Sequence, residues 1–334
     1  MIKVTALTAN RSDPPSRLRF RQYIEPLAHL GIEVTEHYLP ITRYRRQPLA
    51  ALATLLRAPG VAASRRSDIT WLRRELIPER FTLERFTGGR RIFDVDDAVW
   101  LSSDSGFSER IVEICDGVIA GNRWLAAHYA PLGKPVWIVP TAIDTDQWQP
   151  APRAPNDEWI VGWLGIHSNL RYLRMIEEPL AEFLTQHKGA RLRVVCDRRP
   201  LFRFIPPELC EYIKWSPENE IQATQEMDAG LMPLDDTEWT RGKCAAKMLA
   251  YLAVGVPAVV SPVGVNEDIL ALGALGLGAT SGDEWFRALK TLYDNRERSR
   301  EMGRVGREAV EQHYSVRSNA PKLAGIFSEV VNKR

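Results

Sequence analysis

The chain has 334 residues, of which 45% are apolar and 26% are charged. This composition excludes a disordered chain, and the length allows two domains that each bury a core. The 44 basic residues balance the 42 acidic ones, which argues against a protein whose whole surface binds nucleic acid. The four cysteines form no CxxC pair and no long apolar run is present, so we expect a cytoplasmic protein without disulfides or membrane spans.

Short apolar runs alternate with helical stretches in the first half of the chain, and this alternation predicts βα units around a parallel sheet. Apolar residues at helical spacing predict a helix over about 16–30, which Gly31 ends. The predicted strands cover residues 2–7, 32–38, 69–71, 91–95, 117–120 and 136–139.

A proline-rich segment, QPAPRAPNDE at 149–158, predicts a linker. The βα alternation then resumes, with strands at 159–164, 191–196, 230–233 and 258–261. Helices are predicted at 169–186, 243–254 and 266–272, and further helical stretches at about 283–314 and 319–331. The sequence therefore predicts an α/β fold with two similar domains and a hinge near 150–158.

Two junctions between a strand and a helix in the second half are candidate phosphate-binding loops. The first, GWLGIHSNLRYL, contains Gly165, His167, Ser168 and Asn169; the second, SPVGVNEDIL, contains Gly264, Val265 and Asn266. Backbone N–H groups at such junctions bind phosphate at the carboxyl edge of a parallel sheet. The alternative interpretation is that Ser168, Asn169 and Asn266 only cap their own helices.

The stretch DDTEWTRGKCAAKMLAYLAVGVPAVV carries a group of basic residues. Lys243 and Lys247 are four positions apart, which on one helix places both on one face, near Arg241 and Gly242 at its start. Cations beside a helix N-terminus oppose the macrodipole unless an anion binds there, so the pattern favours an anion site. The alternative is an ordinary solvated basic face.

The motif RRIFDVDDAVW ends a predicted strand on Asp94, Asp96 and Asp97. Adjacent carboxylates repel, and burial there raises the pKa of at least one of them. Such a group can orient an acceptor hydroxyl or take its proton, and the alternative is a cap on the next helix. No further ligands stand at metal-binding spacing, so no metal site is predicted.

These motifs, with VIAGNRWLA, VPTAIDTDQW and MGRVGREAVEQHYS, resemble those of the GT-B glycosyltransferases, and among them the glycosyltransferase family 4-like group of retaining, nucleotide-sugar-dependent enzymes. The resemblance covers nearly the whole chain. It implies two Rossmann-like domains that face a cleft, an acceptor-side domain at 1–150 and a donor-binding domain at 151–315. A helix within 316–334 is expected to pack back on the first domain.

The resemblance also implies roles for these residues. The donor diphosphate would bind Arg241, Gly242, Lys243 and Lys247, together with the loops at 165–169 and 264–266, without Mg²⁺. Trp215, Ser216 and the loop around Asp197 would border the base. Asp96 and Asp97 would orient the acceptor across the cleft.

The chain departs from the family at two glutamates that the family often has eight positions apart. These positions hold Gly242 and Ala250 here, so Glu238 or Asp236 is expected to reach the donor sugar in place of the first glutamate. Asp96 stands where the family often has a histidine.

The resemblance implies transfer of a sugar from a nucleotide diphosphate sugar to an acceptor hydroxyl with retention, and no cofactor besides that donor. Two alternatives stay open. One is a non-catalytic protein that binds sugar nucleotides or glycans, and the other is an epimerase or phosphorylase with the same fold. The motifs do not specify the sugar, the base or the acceptor, because the fold does not determine them.

An arginine-rich stretch in the first half remains outside these motifs. Residues 42–91 contain twelve arginines, no lysine and four acidic residues, a local net charge of +8 in a chain whose total is +2. Within it, residues 43–66 flank an apolar helical run with arginines. This pattern suits a segment that rests on an anionic membrane surface. It equally suits a guide for an anionic acceptor, or a solvated face.

Overall fold

The computed structural model describes residues 1–11, 13–40, 49–152 and 158–333. The chain forms two compact units. The first comprises Met1–Ala142, Arg241–Cys244 and Val316–Arg334, and the second comprises Ile143–Thr240 and Ala245–Ser315. Part of the predicted linker, residues 153–157, and part of the arginine-rich stretch, residues 42–48, lie outside the described residues.

The first unit is built on a parallel sheet of six strands in the order β2-β1-β3-β4-β5-β6. Each predicted strand of the first half is present. The strands are β1 (Ile2–Thr8), β2 (Ile32–Tyr38), β3 (Ile69–Arg73), β4 (Arg90–Val95), β5 (Gly117–Ala120) and β6 (Val136–Ile138). The central residues of β1, β3, β4 and β5 are buried on both faces, which is why these strands read as apolar runs, whereas the edge strands β2 and β6 are partly exposed.

Five helices of the first unit connect these strands. They are α1 (Pro14–Arg19), α2 (Ile24–His29), α3 (Leu49–Ser64), α4 (Phe107–Glu113) and α5 (Arg123–Tyr129). The prediction of one continuous helix over 16–30 is wrong, because a 3₁₀ turn at Arg21–Tyr23 separates α1 from α2. Gly31 adopts a φ of +80°, and it ends the α2 segment as predicted.

The second unit repeats the architecture with a parallel sheet in the order β12-β11-β10-β7-β8-β9. The strands are β7 (Trp159–Gly165), β8 (Ala190–Cys196), β9 (Cys210–Lys214), β10 (Ala229–Met232), β11 (Ala258–Val260) and β12 (Gly276–Gly278). Four of them match predicted strands. The two edge strands, β9 and β12, were not predicted, because β9 is only half-buried and β12 is a three-residue run with two glycines.

The helices between β7 and Ser315 are α6 (Leu170–Arg174), α7 (Glu177–Gln186), α8 (Glu220–Gln225), α9 (Glu238–Arg241), α10 (Ala246–Ala253), α11 (Val265–Leu270), α12 (Gly282–Asp294) and α13 (Arg296–His313). All belong to the second unit except the last residue of α9, Arg241. The helix predicted over 243–254 is wrong at its start. Ala245 has a φ of +53°, so the chain leaves helical geometry there and α10 begins only at Ala246.

The last helix, α14 (Val316–Asn332), packs with α2 on one face of the first sheet. Leu27 of α2 and Phe327 of α14 share a buried cluster with Trp71 of β3. Helix α3 lies on the other face, where Gly60 approaches Leu7 of β1. Among the described residues, no helix combines the length and the apolar character that a membrane crossing requires.

Candidate functional site

Loops that follow β7, β8, β10 and β11 meet at one edge of the second sheet, since parallel strands bring their carboxyl ends together. After β7, residues His167–Asn169 form a single 3₁₀ turn. The His167 backbone N–H donates to Oδ1 of Asp197, which follows β8, at 2.6 Å. This bond joins two of the loops that the sequence placed near a nucleotide.

Asn169 occupies the N-cap position of α6, but neither its side chain nor that of Ser168 makes a capping hydrogen bond. Ile166 occupies the N-cap position of the 3₁₀ turn, and no side-chain capping bond forms there or at the start of α6. The capping interpretation of this junction is therefore wrong. Ser168 is exposed and Asn169 is half-buried, so their polar groups lie at the surface of the sheet edge.

Lys247 reaches the same edge from the first turn of α10. A Cβ added to Gly165, the last residue of β7, would lie 2.9 Å from Lys247 Cε and 2.6 Å from the Trp163 ring. The Lys247 ammonium lies 5.5 Å from the centroid of the Trp163 ring, within the range of a cation–π contact. Only glycine at position 165 therefore leaves room for this arrangement.

Tyr251, one turn after Lys247, fixes α10 against the sheet. Its hydroxyl accepts a hydrogen bond from the Leu164 N–H at 2.9 Å and donates to the Leu231 carbonyl at 3.2 Å. Gly230 of β10 permits this approach, because a Cβ there would lie 2.2 Å from the tyrosine ring. Burial raises the pKa of Tyr251, which keeps the phenol protonated and able to donate.

The loop after β11 has the tight turn that the sequence predicted. Gly264 has a φ of +57° and is the N-cap of α11, which begins at Val265. Asn266 is buried inside the helix, and its Nδ2 donates to the Ser261 carbonyl at 3.0 Å. The interpretation of Asn266 as a helix cap is wrong, because Gly264 already occupies that position.

Two buried polar atoms at this edge have no hydrogen-bond partner among the described residues. They are Nδ1 of His167, after β7, and Oδ1 of Asp235, after β10. The strands β7 and β10 are neighbours in the sheet. Because buried polar atoms in native proteins are nearly always paired, these two atoms have room for a hydrogen bond to a ligand or to water. The sequence analysis missed Asp235, although an acidic residue three positions after the buried strand β10 is the signal that could have found it.

The remaining predicted residues of the second unit lie in other turns. Trp215 follows the edge strand β9, and its Nε1 donates to Oε2 of Glu220 at 2.8 Å. The Ser216 N–H donates to Oδ1 of Asn219 at 2.9 Å, which closes the turn before α8. Glu238 is exposed in the first turn of α9.

In the first unit, the three aspartates at the end of β4 differ in environment. Asp94 is buried, and its Oδ1 accepts from Arg19 Nε at 2.5 Å while its Oδ2 accepts from Trp71 Nε1 at 3.1 Å. Arg19 also donates to the Val139 carbonyl at 3.1 Å. Asp94 is therefore part of a buried ion pair beneath the strand end, whereas Asp96 and Asp97 are half-buried.

Asp97 lies between two cations. Its Oδ2 is 3.6 Å from Arg74 Nη1, and its Oδ1 is 3.7 Å from Lys243 Nζ. Burial and then the Asp96 carboxylate raise the pKa of Asp97, against the opposite effect of Lys243 and Arg74. Arg74 holds its position with a φ of +56°, a conformation that costs a non-glycine residue free energy and recurs at functional sites.

Lys243 belongs to a short segment, Arg241–Cys244, that lies in the first unit. The expectation that Lys243 and Lys247 share a helix face is therefore wrong: the positive φ of Ala245 separates them, and they fall in different units. A Cβ on Gly242 would lie 2.8 Å from the Ala98 side chain, so glycine lets this segment approach the end of β4. The Arg241 guanidinium lies 5.6 Å from the centroid of the Trp124 ring.

Asn122, which the sequence analysis missed, holds this segment. Its Nδ2 lies 3.4, 3.1 and 3.2 Å from the carbonyl oxygens of Arg241, Gly242 and Lys243. Its Oδ1 accepts from the Leu125 N–H at 2.8 Å and so caps α5. The capping position of an asparagine directly after a strand was visible in the motif VIAGNRWLA, but its long-range partners were not.

Comparisons with known proteins give a family match for part of the chain. Residues 174–325 match a family described as glycosyl transferase-like. No curated protein sequence matches the chain significantly.

Solved structures match the chain over nearly its full length. The sucrose-phosphate synthase of Thermosynechococcus elongatus is 13% identical with a TM-score of 0.70, over 98% of this chain and 99% of that one. HepE of Anabaena, in complex with UDP and glucose, is 13% identical with a TM-score of 0.71, over 98% and 100%. A Listeria monocytogenes protein assigned, but not proven, to be a UDP-N-acetylglucosamine 2-epimerase is 13% identical with a TM-score of 0.68, over 100% and 98%. The chain therefore has the GT-B fold, and its residues 174–325 are similar to a glycosyl transferase-like family.

Proposed function

We propose that the protein transfers a sugar from a nucleotide diphosphate sugar to an acceptor hydroxyl, with retention at the anomeric carbon and without a bound metal ion. The observation that carries the proposal is the position of Lys247, which lies against Gly165 at the carboxyl end of β7. The family match over residues 174–325 includes Lys247 and the Gly264 turn. The fold is shared with HepE, whose structure holds UDP and glucose.

Breaking the bond between the sugar and the diphosphate places negative charge on the departing diphosphate. Lys247 would stabilise that charge, and backbone N–H groups of the turn at His167–Asn169 and of the α11 N-terminus would add to it. The unpartnered Nδ1 of His167 gives the site one further polar contact. The base contacts of Trp215 and Ser216 and the sugar contact of Glu238 stay predictions.

Asp97 is our candidate for the group that orients the acceptor hydroxyl and accepts its proton. Its raised pKa makes it a stronger base than an ordinary aspartate, and Lys243 and Arg74 hold its carboxylate. In this proposal Lys243 positions Asp97 rather than binding the diphosphate beside Lys247. Diphosphate contacts of Arg241 and Gly242 stay predictions, as does an acceptor contact of Asp96.

Retention requires either two displacements through a covalent intermediate or attack from the face that the diphosphate leaves. We favour attack from the same face, because the described site offers no buried carboxylate beside Lys247 whose contacts mark it as a nucleophile. The anomeric configuration of the product, read by NMR spectroscopy, tests this choice directly.

A panel of nucleotide diphosphates and their sugars, screened by thermal shift, tests the donor class. A ligand at 100 times its Kd adds about 2.7 kcal/mol to the free energy of unfolding, which is readily measured. The best ligand is then incubated with the protein alone, and release of free sugar is followed. A transferase hydrolyses its donor slowly under these conditions, whereas a non-catalytic binding protein releases no sugar.

An epimerase is the second candidate, because the Listeria protein with the same fold carries that description. The same incubation separates the two, since an epimerase interconverts two nucleotide sugars without any acceptor. Appearance of a second nucleotide sugar would therefore replace the transferase proposal by the epimerase.

A further inference from the structure

The solvent face of α3 is apolar along its length. Of the side chains that the structure describes on this helix, every exposed one is apolar, and the leucines are the largest. Their exposed fractions are 42% for Leu49, 44% for Leu52, 71% for Leu55 and 37% for Leu56. We name these four residues the leucine face.

The distribution of charged and apolar side chains on α3 is the reverse of that on an ordinary surface helix. Its one charged residue, Arg57, is buried, where it donates to the Leu76 carbonyl at 3.2 Å and to the Thr8 carbonyl. Ala53 packs beneath the helix with Leu39 and Ile77. A surface helix usually buries its leucines and exposes its arginines. The exposed leucine face therefore indicates a surface that contacts an apolar partner.

Basic and aromatic residues lie at the C-terminal end of α3. Arg65 and Arg66, directly after α3, are exposed. Arg65 Nε donates to the Phe86 carbonyl at 3.1 Å, and the exposed Phe86 ring lies 5.8 Å from the Arg85 guanidinium. Arginines and aromatic rings beside an apolar helix are the side chains of the interface between lipid headgroups and acyl chains.

Among the described residues, no acidic side chain forms an ion pair with Arg65, Arg66 or Arg85. Glu84 is buried and accepts from the Leu76 N–H at 2.7 Å, and Asp68 accepts from the Lys3 N–H at 2.7 Å. A symmetric pair of copies would bring four arginines, Arg65 and Arg66 of each copy, to one interface without added acidic partners. The charge therefore favours an anionic partner over a second copy.

We infer that the leucine face docks on the surface of a membrane that contains anionic lipid. Helix α3 has 16 residues, fewer than the roughly 20 that a bilayer crossing needs, so it lies in the plane of the interface. The four leucines enter the acyl boundary while Arg65, Arg66 and Arg85 contact the headgroups. This inference is independent of the proposed reaction, and it assigns a partner to the arginine-rich stretch.

Co-sedimentation of the full chain with lipid vesicles, without any nucleotide sugar, tests the inference. We expect binding to vesicles of phosphatidylcholine with phosphatidylglycerol, and binding at least about tenfold weaker with phosphatidylcholine alone or at high salt. Arg65→Gln with Arg66→Gln should weaken binding about fivefold for each arginine, the factor that corresponds to about 1 kcal/mol.

Leu52→Glu with Leu55→Glu should abolish binding, a loss of about 100-fold or more, because the variant no longer transfers these two leucine side chains from water into the lipid. The matched control is Leu30→Glu, a 47% exposed leucine after α2 on the opposite face of the sheet, which should bind like the unchanged protein. Circular dichroism and the melting temperature verify that the variants fold, as expected for exposed positions.

Equal binding of the Leu52 and Leu55 double variant, or no binding of the unchanged protein to either vesicle, would overturn the inference. Sedimentation velocity adds a separate outcome: a dimer that the double variant converts to monomer would identify the leucine face as an interface between copies and would also overturn it. Donor hydrolysis is measured apart from these assays, so a failure of membrane binding is distinguishable from a failure of the proposed reaction.

Discussion

Gly165 and Lys247 meet at the carboxyl end of β7, so closely that a methyl group on Gly165 would lie 2.9 Å from Lys247 Cε. Because Gly165 has no side chain, Lys247 of α10 can reach this edge of the sheet. The lysine is held there by its helix, because Tyr251 one turn later bonds to the Leu164 N–H. The end of β7 and the first turn of α10 thus hold the Lys247 ammonium at the proposed site of the departing diphosphate.

Gly165→Ala should reduce turnover about tenfold, because the added methyl displaces either Lys247 or the buried Trp163 ring. Crowding the ring should also cost about 1–3 kcal/mol of stability, which a urea titration measures. Gly325→Ala is the matched control, since a Cβ there meets no atom within 4 Å in the interior of α14. Full activity of Gly165→Ala would show that the close approach is irrelevant to the reaction.

Asn122→Asp separates the two functions of Asn122. The variant keeps an oxygen that caps α5 but loses the N–H groups that face the carbonyls of Arg241, Gly242 and Lys243. We expect turnover to fall about tenfold, with the loss in kcat rather than KM, because Lys243 no longer positions Asp97. Asn122→Ala should in addition lose about 1 kcal/mol of stability with the cap. If Asn122→Asp turns over as fast as the unchanged protein, Asn122 is only a cap.

Asp94→Asn should destabilise the protein by about 3–5 kcal/mol, since it leaves the buried Arg19 guanidinium without its counter-ion. Asp96→Asn, two residues further on and half-buried, should change the free energy of unfolding by less than about 0.5 kcal/mol. Urea titrations of both variants make the comparison. Equal losses would mean that the two aspartates do not differ as their environments indicate.

Asp97 should make the stability depend on pH in a defined direction. Its pKa is raised in the folded protein, so the folded state holds the proton more tightly than the unfolded chain does. The contribution of Asp97 to the free energy of unfolding is therefore present below the ordinary aspartate pKa of about 3.9, and it is lost as the pH rises through the raised pKa. Relative to Asp97→Asn, the unchanged protein should lose unfolding free energy over that window. A constant difference between the two proteins would contradict the raised pKa.

The fold could be predicted from the sequence because its central strands are buried on both faces. The run GVIA predicts β5 with the bounds that the structure has, whereas the edge strands β9 and β12 carry too few buried side chains to stand out. The Gly264 turn could be predicted because glycine tolerates a positive φ.

The arrangement of the two lysines could not be predicted, for a related reason. Ala245 adopts a positive φ without being glycine, so no residue type signals that α10 begins after Lys243. The three carbonyls around Asn122 are 119 to 121 positions away along the chain, and only the fold brings them together. Local patterns therefore identified the strand ends, and tertiary contacts decided which side chains meet there.

The turnover of Lys247→Ala tests the central claim most directly. With the nucleotide sugar that the thermal-shift panel identifies, donor hydrolysis or transfer should fall about 10²-fold or more, as expected when a cation that stabilises the leaving group is removed. The control is Lys290→Ala in α12, an exposed lysine paired with Asp294, which should keep full turnover. A Lys247→Ala variant that folds and turns over as fast as the Lys290→Ala control would contradict the assignment of this sheet edge as the diphosphate site.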